Sequence, residues 1–325
     1  MMTTPARGDS EIMSMRTSLA VDKTITLAIN GSTQRIRLCA TRTELPPLLI
    51  VQAGPGLPVL NEVAKFQRRL HLEQQFLVAY WEQRGCGAAS REDAMSACFQ
   101  QQVDDLRNVL RWLREETKQT AVVFGISLGA TIALRAVEHE QDCVKSVVAV
   151  SVDTHTAWSD AAADAFLREQ SLRAGNGRLS RKVRALEKPP YVDPAAIQRR
   201  ARLLADLGTI ERGKTFNALL REALFSMIRT YGVVGAVRAL RNINIVQRTM
   251  LPELVPLDLL AAPPRLAVPV HCVFGEQDAL LPATVVKDLP AAIIAPACTV
   301  RLVPNAGHMV HFDQPDIVRS IAVNA

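Results

Sequence analysis

The chemistry in this 325-residue chain converges on one serine, one aspartate and one histidine, met in that order along the sequence. Gly125-Ile126-Ser127-Leu128-Gly129 sets a serine between two glycines, after the apolar run Ala121–Phe124 and before the helical period of Leu128–His139. A serine on so sharp a strand-to-helix turn is pushed out of the sheet. The glycines are needed because side chains there would collide with the neighbouring strand and helix. Ser127 is therefore the candidate nucleophile, and a nucleophilic serine needs a base that a third group orients. His308 follows the run Val300–Val303 through Pro304-Asn305-Ala306-Gly307, and Asp278 follows Val270–Phe274 through Gly275-Glu276-Gln277. Both lie just past the end of a strand-like run, where catalytic groups gather in parallel sheets. Glu276, Asp288 and Asp153 are the alternative acids. His311 reads as a surface or support residue, and His71, His139, His155 and His271 as structural.

A nucleophile attacking a carbonyl also needs donors for the developing oxyanion. The Leu128 N–H sits at a helix N-terminus, which favours negative charge. Leu48–Gln52 breaks into Ala53-Gly54-Pro55-Gly56, and such a turn offers the Gly54 N–H as a second donor. One donor of this kind is worth about 3 kcal/mol of barrier. Gln52, Ala53, Ile126 and Trp158 are the candidate substrate-pocket residues. Phe166, Phe216, Phe225 and Tyr231 are further candidates for its lining, although aromatic residues there more often form local core.

These turns require a scaffold, and the hydrophobic pattern supplies one. Strands are expected at Thr24–Ile29, Gln34–Ala40, Leu48–Gln52, Phe76–Tyr80, Ala121–Phe124, Lys145–Ser151, Val268–Phe274 and Cys298–Val303. Asn30-Gly31 is a hairpin signal, so the sheet should begin antiparallel. The later connections are long and helical, as in Val103–Glu116, which is what crossovers between parallel strands need. From about residue 153 strand-like runs give way to basic amphipathic helices, Phe216–Leu240 being the strongest, and a Pro-rich stretch runs from Leu251 to Pro269. The expected organisation is an N-terminal arm over 1–23, a core over 24–152, a helical insertion over 153–262 and the second part of the core over 263–325.

The net charge is +6, and residues 153–262, with 17 Lys+Arg against 11 Asp+Glu, carry all of it. Solvated helix faces account for such an excess; a field favouring anionic substrates would also. Aromatic residues make up only 5% of the chain and no nucleic-acid motif is present, so no nucleic-acid partner is expected. No run approaches the ~18 consecutive apolar residues of a membrane helix, and residues 1–15 lack the apolar block of a secretory signal. A cytoplasmic protein without a membrane partner is expected. The six cysteines show neither C-x-x-C pairing nor zinc-ligand spacing, which predicts buried free thiols, no metal and no cofactor.

The motifs together resemble a known family. Ala53-Gly54-Pro55-Gly56, then Trp81-Glu82-Gln83-Arg84-Gly85-Cys86-Gly87-Ala88-Ala89-Ser90, then Gly125–Gly129 are similar to the H-G-G-P-G, D-Q-R-G-x-G-x-S and G-G-S-W-G blocks of proline iminopeptidases. Gly275-Glu276-Gln277-Asp278 and Asn305-Ala306-Gly307-His308 are similar to that family's acid and histidine loops. The resemblance implies the α/β-hydrolase fold, a mostly parallel sheet flanked by helices, with a helical cap inserted. It covers the core and does not reach into the insertion. Gln52, Ala53, Glu82, Ile126 and Leu128 depart from the family pattern. Family members bind the substrate's free amine through acidic cap residues, for which Glu169, Glu187, Glu211 and Glu222 are the candidates.

The expected function is hydrolysis of a small, largely apolar ester, lactone or amide, or of a short peptide, through an acyl-enzyme, by a monomer or homodimer. The alternatives are a carbon–carbon bond hydrolase on the same three residues and a low-turnover binding protein of the same fold. A carboxylate-nucleophile enzyme is disfavoured, since position 127 is serine.

Overall fold

A computed structural model describes residues 18–175, 177–287 and 289–325. Eight strands form one sheet: β1 Val21–Ile29, β2 Ser32–Ala40, β3 Pro47–Val51, β4 Leu77–Glu82, β5 Ala121–Ile126, β6 Val144–Val150, β7 Val270–Gly275 and β8 Cys298–Val303. Their order across the sheet is β1-β2-β4-β3-β5-β6-β7-β8. β1 and β2 form the antiparallel hairpin that Asn30-Gly31 predicts, and β2 runs antiparallel to β4. From β4 onward every pairing is parallel. The helices are α1 Val63–Leu70, α2 Arg91–Met95, α3 Phe99–Thr117, α4 Leu128–Val137, α5 Thr156–Arg173, α6 Gly177–Arg184, α7 Pro194–Asp206, α8 Phe216–Leu254, α9 Ala283–Val286, α10 Val310–Asp313 and α11 Pro315–Asn324.

The central strands β3 to β7 are almost wholly apolar and buried because both faces of the sheet are covered there, whereas β1, β2 and β8 carry polar residues toward solvent. Alternate residues of β3 enter different cores. Leu49 and Val51 pack with Val103, Leu106 and Leu110 of α3, whereas Leu48 and Ile50 pack with Phe66 of α1 and Val318 of α11. Ile126 belongs to this second core and is fully buried there, so its side chain is a packing element and not a pocket wall.

Between β6 and β7 the chain forms helices only, α5 to α8. The insertion has a core of its own, in which Ala163, Leu167, Val183, Leu203 and Leu204 pack together with Ala279. Its last helix differs from expectation in two ways. α8 does not stop near Leu240 but runs to Leu254, through Pro252, because Val246, Met250 and Leu254 are drawn into the main core. It is also broken at Gly232, whose φ of 70° is a left-handed value that glycine adopts without strain. By length and composition α8 could cross a membrane, although it holds no long uninterrupted apolar run. Its buried C-terminal half makes it a surface-to-core helix in this fold.

Two further boundaries shift. β1 begins at Val21, inside the segment expected to be an arm, since Val21 pairs with Ala40 across the hairpin. Residues 1–17 of that expected arm, together with Asn176 and the alternative acid Asp288, lie outside the described residues.

Candidate active site

Ser127 stands between β5 and α4 with φ 52° and ψ −124°. A non-glycine residue holds such angles only when its surroundings impose them, and they do here. The Ser127 N–H donates to the Val150 carbonyl of the neighbouring strand at 2.7 Å. A Cβ on Gly125 would lie 2.5 Å from Ala130 Cα, and one on Gly129 would lie 2.3 Å from the Val51 carbonyl oxygen. Only glycine lets helix and strands close this tightly about the serine.

The loops after β7 and β8 bring the other two residues to it. His308 Nε2 is 2.9 Å from Ser127 Oγ, and His308 Nδ1 is 2.7 Å from Asp278 Oδ2. Asp278 and His308 are buried, whereas Ser127 is half-buried. Asp278 is held in turn, its Oδ1 accepting the N–H groups of Leu280 and Leu281. Glu276 is exposed and points away from this line. Asp153 is half-buried beyond β6, and its carboxylate accepts from Ser159 Oγ at 2.7 Å and the His155 N–H at 3.1 Å, not from His308.

Burial disfavours the His308 imidazolium. The charge and hydrogen bond of Asp278, helped by the charge of Asp153, outweigh it and raise the His308 pKa above its ordinary value. His311 is the opposite case. It is not a surface residue: it is 1% exposed, stacked 5.6 Å from Phe66, and burial drives its pKa far down. It is a neutral wedge beneath the histidine loop.

Opposite the serine, the Gly54 turn backs onto Leu128, whose Cδ2 would be 3.6 Å from a Cβ on Gly54. Gln52 Oε1 accepts the Ala53 N–H at 3.1 Å, so the Gln52 amide is turned onto its own loop. Among the described residues no acceptor takes the Gly54 or the Leu128 N–H. Two backbone donors thus stay free beside Ser127.

The Gln83-Arg84 pair supports this turn from below. Gln83 Nε2 donates to the Gln52 carbonyl at 3.2 Å, and Arg84 grips Asp105 with both Nε, at 2.7 Å, and Nη2, at 3.0 Å. Bidentate guanidinium–carboxylate pairs hold geometry as well as charge. Glu82 is buried and accepts from the Val59 N–H at 2.8 Å and the Tyr231 hydroxyl at 2.6 Å. Tyr231 is therefore a tie between α8 and the sheet and not a pocket wall.

The remaining pocket candidates scatter. Trp158 is 43% exposed and stacks on His155 at 4.6 Å. Phe225 is exposed, Phe216 lies under the Arg202 guanidinium, and Phe166 packs in the insertion's own core. All four candidate amine-binding acids have basic partners: Glu169 with Arg173, Glu187 with Arg199, Glu211 with Lys65 and Lys214, and Glu222 with Lys214.

Sequence reading missed two groups that position the histidine. Ser151 Oγ donates to the His308 carbonyl at 2.7 Å. From the insertion, the Thr209 and Ile210 carbonyls accept the N–H groups of His308 at 2.8 Å and Met309 at 2.7 Å. Backbone carbonyls carry no sequence signal, and a serine at the end of a strand is common.

Known proteins share this architecture. Over 296 residues, 90% of this chain and 92% of the relative, the chain is 25% identical to a probable aminopeptidase, YbaC, of Bacillus subtilis. The proline iminopeptidase of Mycobacterium smegmatis superposes with a TM-score of 0.63 at 16% identity, over 93% of this chain and 97% of that one. The N-formylmaleamic acid deformylase of Pseudomonas putida superposes with a TM-score of 0.57 at 19% identity, over 93% of this chain and all of that one. The model of the alpha/beta hydrolase family matches residues 60–321. With that match and this sheet, the chain belongs to the alpha/beta hydrolase family and is a hydrolytic enzyme.

Proposed function

We propose that the protein is a serine hydrolase in which Ser127, His308 and Asp278 act as the catalytic triad. The observation that carries this reading is the unbroken line from Ser127 Oγ through the His308 ring to Asp278, at 2.9 and 2.7 Å. Ser127 Oγ forms a bond to the substrate carbonyl carbon while its proton passes to His308 Nε2. The carbonyl π electrons move to oxygen, and the free Gly54 and Leu128 N–H groups bind the resulting oxyanion. Collapse of the tetrahedral adduct restores the carbonyl and breaks the bond to the leaving group, which takes the proton from His308. Water then repeats the two steps and frees the acid. Asp278 holds the ring in the productive tautomer throughout.

The substrate in this reading is a small, largely apolar ester or lactone, with residues 153–262 as its cap. Its support is the pairing of Glu169, Glu187, Glu211 and Glu222 with Lys or Arg, which leaves none of them free to receive a substrate ammonium. An aminopeptidase-like activity on N-terminal residues is the second reading, favoured by the likeness to the B. subtilis relative over nine-tenths of the chain.

A panel of p-nitrophenyl esters, simple lactones and N-terminal-proline arylamides, with Ser127→Ala as control, separates these readings. Turnover of esters or lactones that vanishes in Ser127→Ala is expected, and turnover of the arylamides alone would establish the second reading. A fluorophosphonate should label Ser127; labelling of another serine would overturn the assignment.

A further inference from the structure

We infer that the exposed face of α8 is a docking surface for an anionic lipid membrane. The inference stands apart from the catalytic reading. The helix leaves large apolar side chains in water along much of its first half: Leu224, Phe225 and Ile228 before the break at Gly232, and Val233, Val234 and Val237 after it. Phe225 is 72% exposed and Val234 76%. Soluble proteins rarely expose contiguous apolar ridges of this kind without a partner to cover them.

The ridge is not a membrane span. Tyr231 is bonded to Glu82 in the core, and Val246, Met250 and Leu254 are buried, so α8 cannot leave the fold as a transmembrane rod. What it presents outward is an apolar face in two segments, one on each side of the break at Gly232, about which Met227 packs with Ala236 and Ala239.

Charge selects the occupant. Residues 216–241 hold four arginines and a single acid, Glu222, which is bound to Lys214 at 2.5 Å. The arginines are threaded through the apolar rows and not set apart from them. Arg221, Phe225 and Arg229 form one row at helical i, i+4 spacing, and Val233, Val237 and Arg241 form another. Arg221, Arg229 and Arg241 are exposed and have no acidic partner among the described residues. A second copy docked face to face would bring four more arginines and no unpaired acid to meet them, since a two-fold contact joins identical patches. A bilayer with anionic headgroups meets both demands. Its phosphates pair with the guanidinium groups, and the apolar side chains enter the boundary between headgroup and acyl chain. Docked in this way, the insertion would face substrates that partition into lipid.

Sedimentation with vesicles tests the inference on the full chain. One vesicle set is pure phosphatidylcholine; the other is an equal mixture of phosphatidylcholine and phosphatidylglycerol. Binding to the anionic set alone is expected, and high salt should reverse it. The double variant Arg221→Ser/Arg229→Ser should weaken binding about thirtyfold, each arginine near an anionic surface counting for about fivefold. Phe225→Ser/Val234→Ser should weaken it at least about tenfold through lost apolar burial. Far-ultraviolet circular dichroism of both variants reports folding independently of any enzyme activity. Absence of binding to the anionic vesicles overturns the inference, as does binding that folded variants retain in full. A dimer of the free protein in light scattering that Phe225→Ser/Val234→Ser dissociates assigns the ridge to self-association, and overturns it too.

Discussion

The Ser151 hydroxyl donates to the His308 carbonyl at 2.7 Å, joining the end of β6 to the loop that carries the histidine. Ser151 is fully buried and holds a positive φ of 48°, so its hydroxyl direction is fixed by the strand end. Ser151→Ala would leave that carbonyl without its partner and let the loop drift. An ångström of misplacement costs on the order of a hundredfold in rate. A fall in kcat of about tenfold to about a hundredfold, with little change in KM, is the expected outcome. Fluorophosphonate labelling of Ser127 should slow in proportion; unchanged labelling would show that the bond does not position the ring.

Asp278→Asn keeps the shape of the proposed triad but offers the ring an amide in place of a carboxylate. A fall in kcat of about ten-thousandfold is expected, the size seen when an orienting acid is neutralised and the wrong tautomer results. Steady-state turnover of the best p-nitrophenyl ester measures it, and a fall of less than tenfold would remove Asp278 from the mechanism.

The raised pKa of His308 gives a pH dependence with a definite sign. In the proposed mechanism His308 must be neutral to take the serine proton, so kcat/KM should rise with pH, with an acid limb above the ordinary histidine value of about 6.5. Asp153 is one of the charges raising that pKa, although it does not touch the ring. Asp153→Asn should move the limb toward lower pH while the plateau changes little. A limb that stays in place would show that Asp153 carries no charge at working pH.

His311 predicts the behaviour of the fold in acid. Its folded pKa lies far below its unfolded one, so the unfolded chain binds the extra proton first. The stability this causes is present above the unfolded pKa and is lost as pH falls from about 6.5 toward the folded value. In His311→Phe that part of the acid loss should disappear, read as a flatter dependence of urea midpoint on pH below about 6.5.

Tyr231→Phe replaces one hydroxyl by hydrogen at the joint between α8 and the sheet. Burial already pushes the Glu82 carboxyl pKa up, and the Tyr231 hydroxyl opposes that rise. Losing this donor should cost about 2 kcal/mol at neutral pH, the scale of a hydrogen bond to a charged group. The cost should shrink as acid protonates Glu82. Chemical denaturation at two pH values checks both statements.

Much of this arrangement was legible because it rests on short-range rules. The glycines flanking Ser127 exist to avoid clashes of 2.5 and 2.3 Å, and steric needs of that kind leave a readable spacing. The central strands were legible because a sheet covered on both faces is apolar at nearly every position, and β1 and β2 because Asn30-Gly31 marks the hairpin between them. What resisted reading depends on contacts distant in sequence. Ile126 looks like a neighbour of the reacting serine, yet strand alternation turns it into the opposite core. Trp158 and Phe225 look like lining until the packing of the insertion sends them outward. α8 has too mixed a face to reveal where it ends, because its second half borrows its burial from the main core.

The two hydrogen bonds from Thr209 and Ile210 to His308 and Met309 are main-chain bonds, and Gly307 is packed so closely that a Cβ would lie 2.5 Å from the Thr209 oxygen. The insertion and the histidine loop are therefore one mechanical part. If the stretch at 209–210 lifts to admit a guest, the imidazole loses two of its props in the same motion. Under the proposed mechanism, Ser127 would then face an unaligned base, so the position of this stretch would govern how readily the serine reacts.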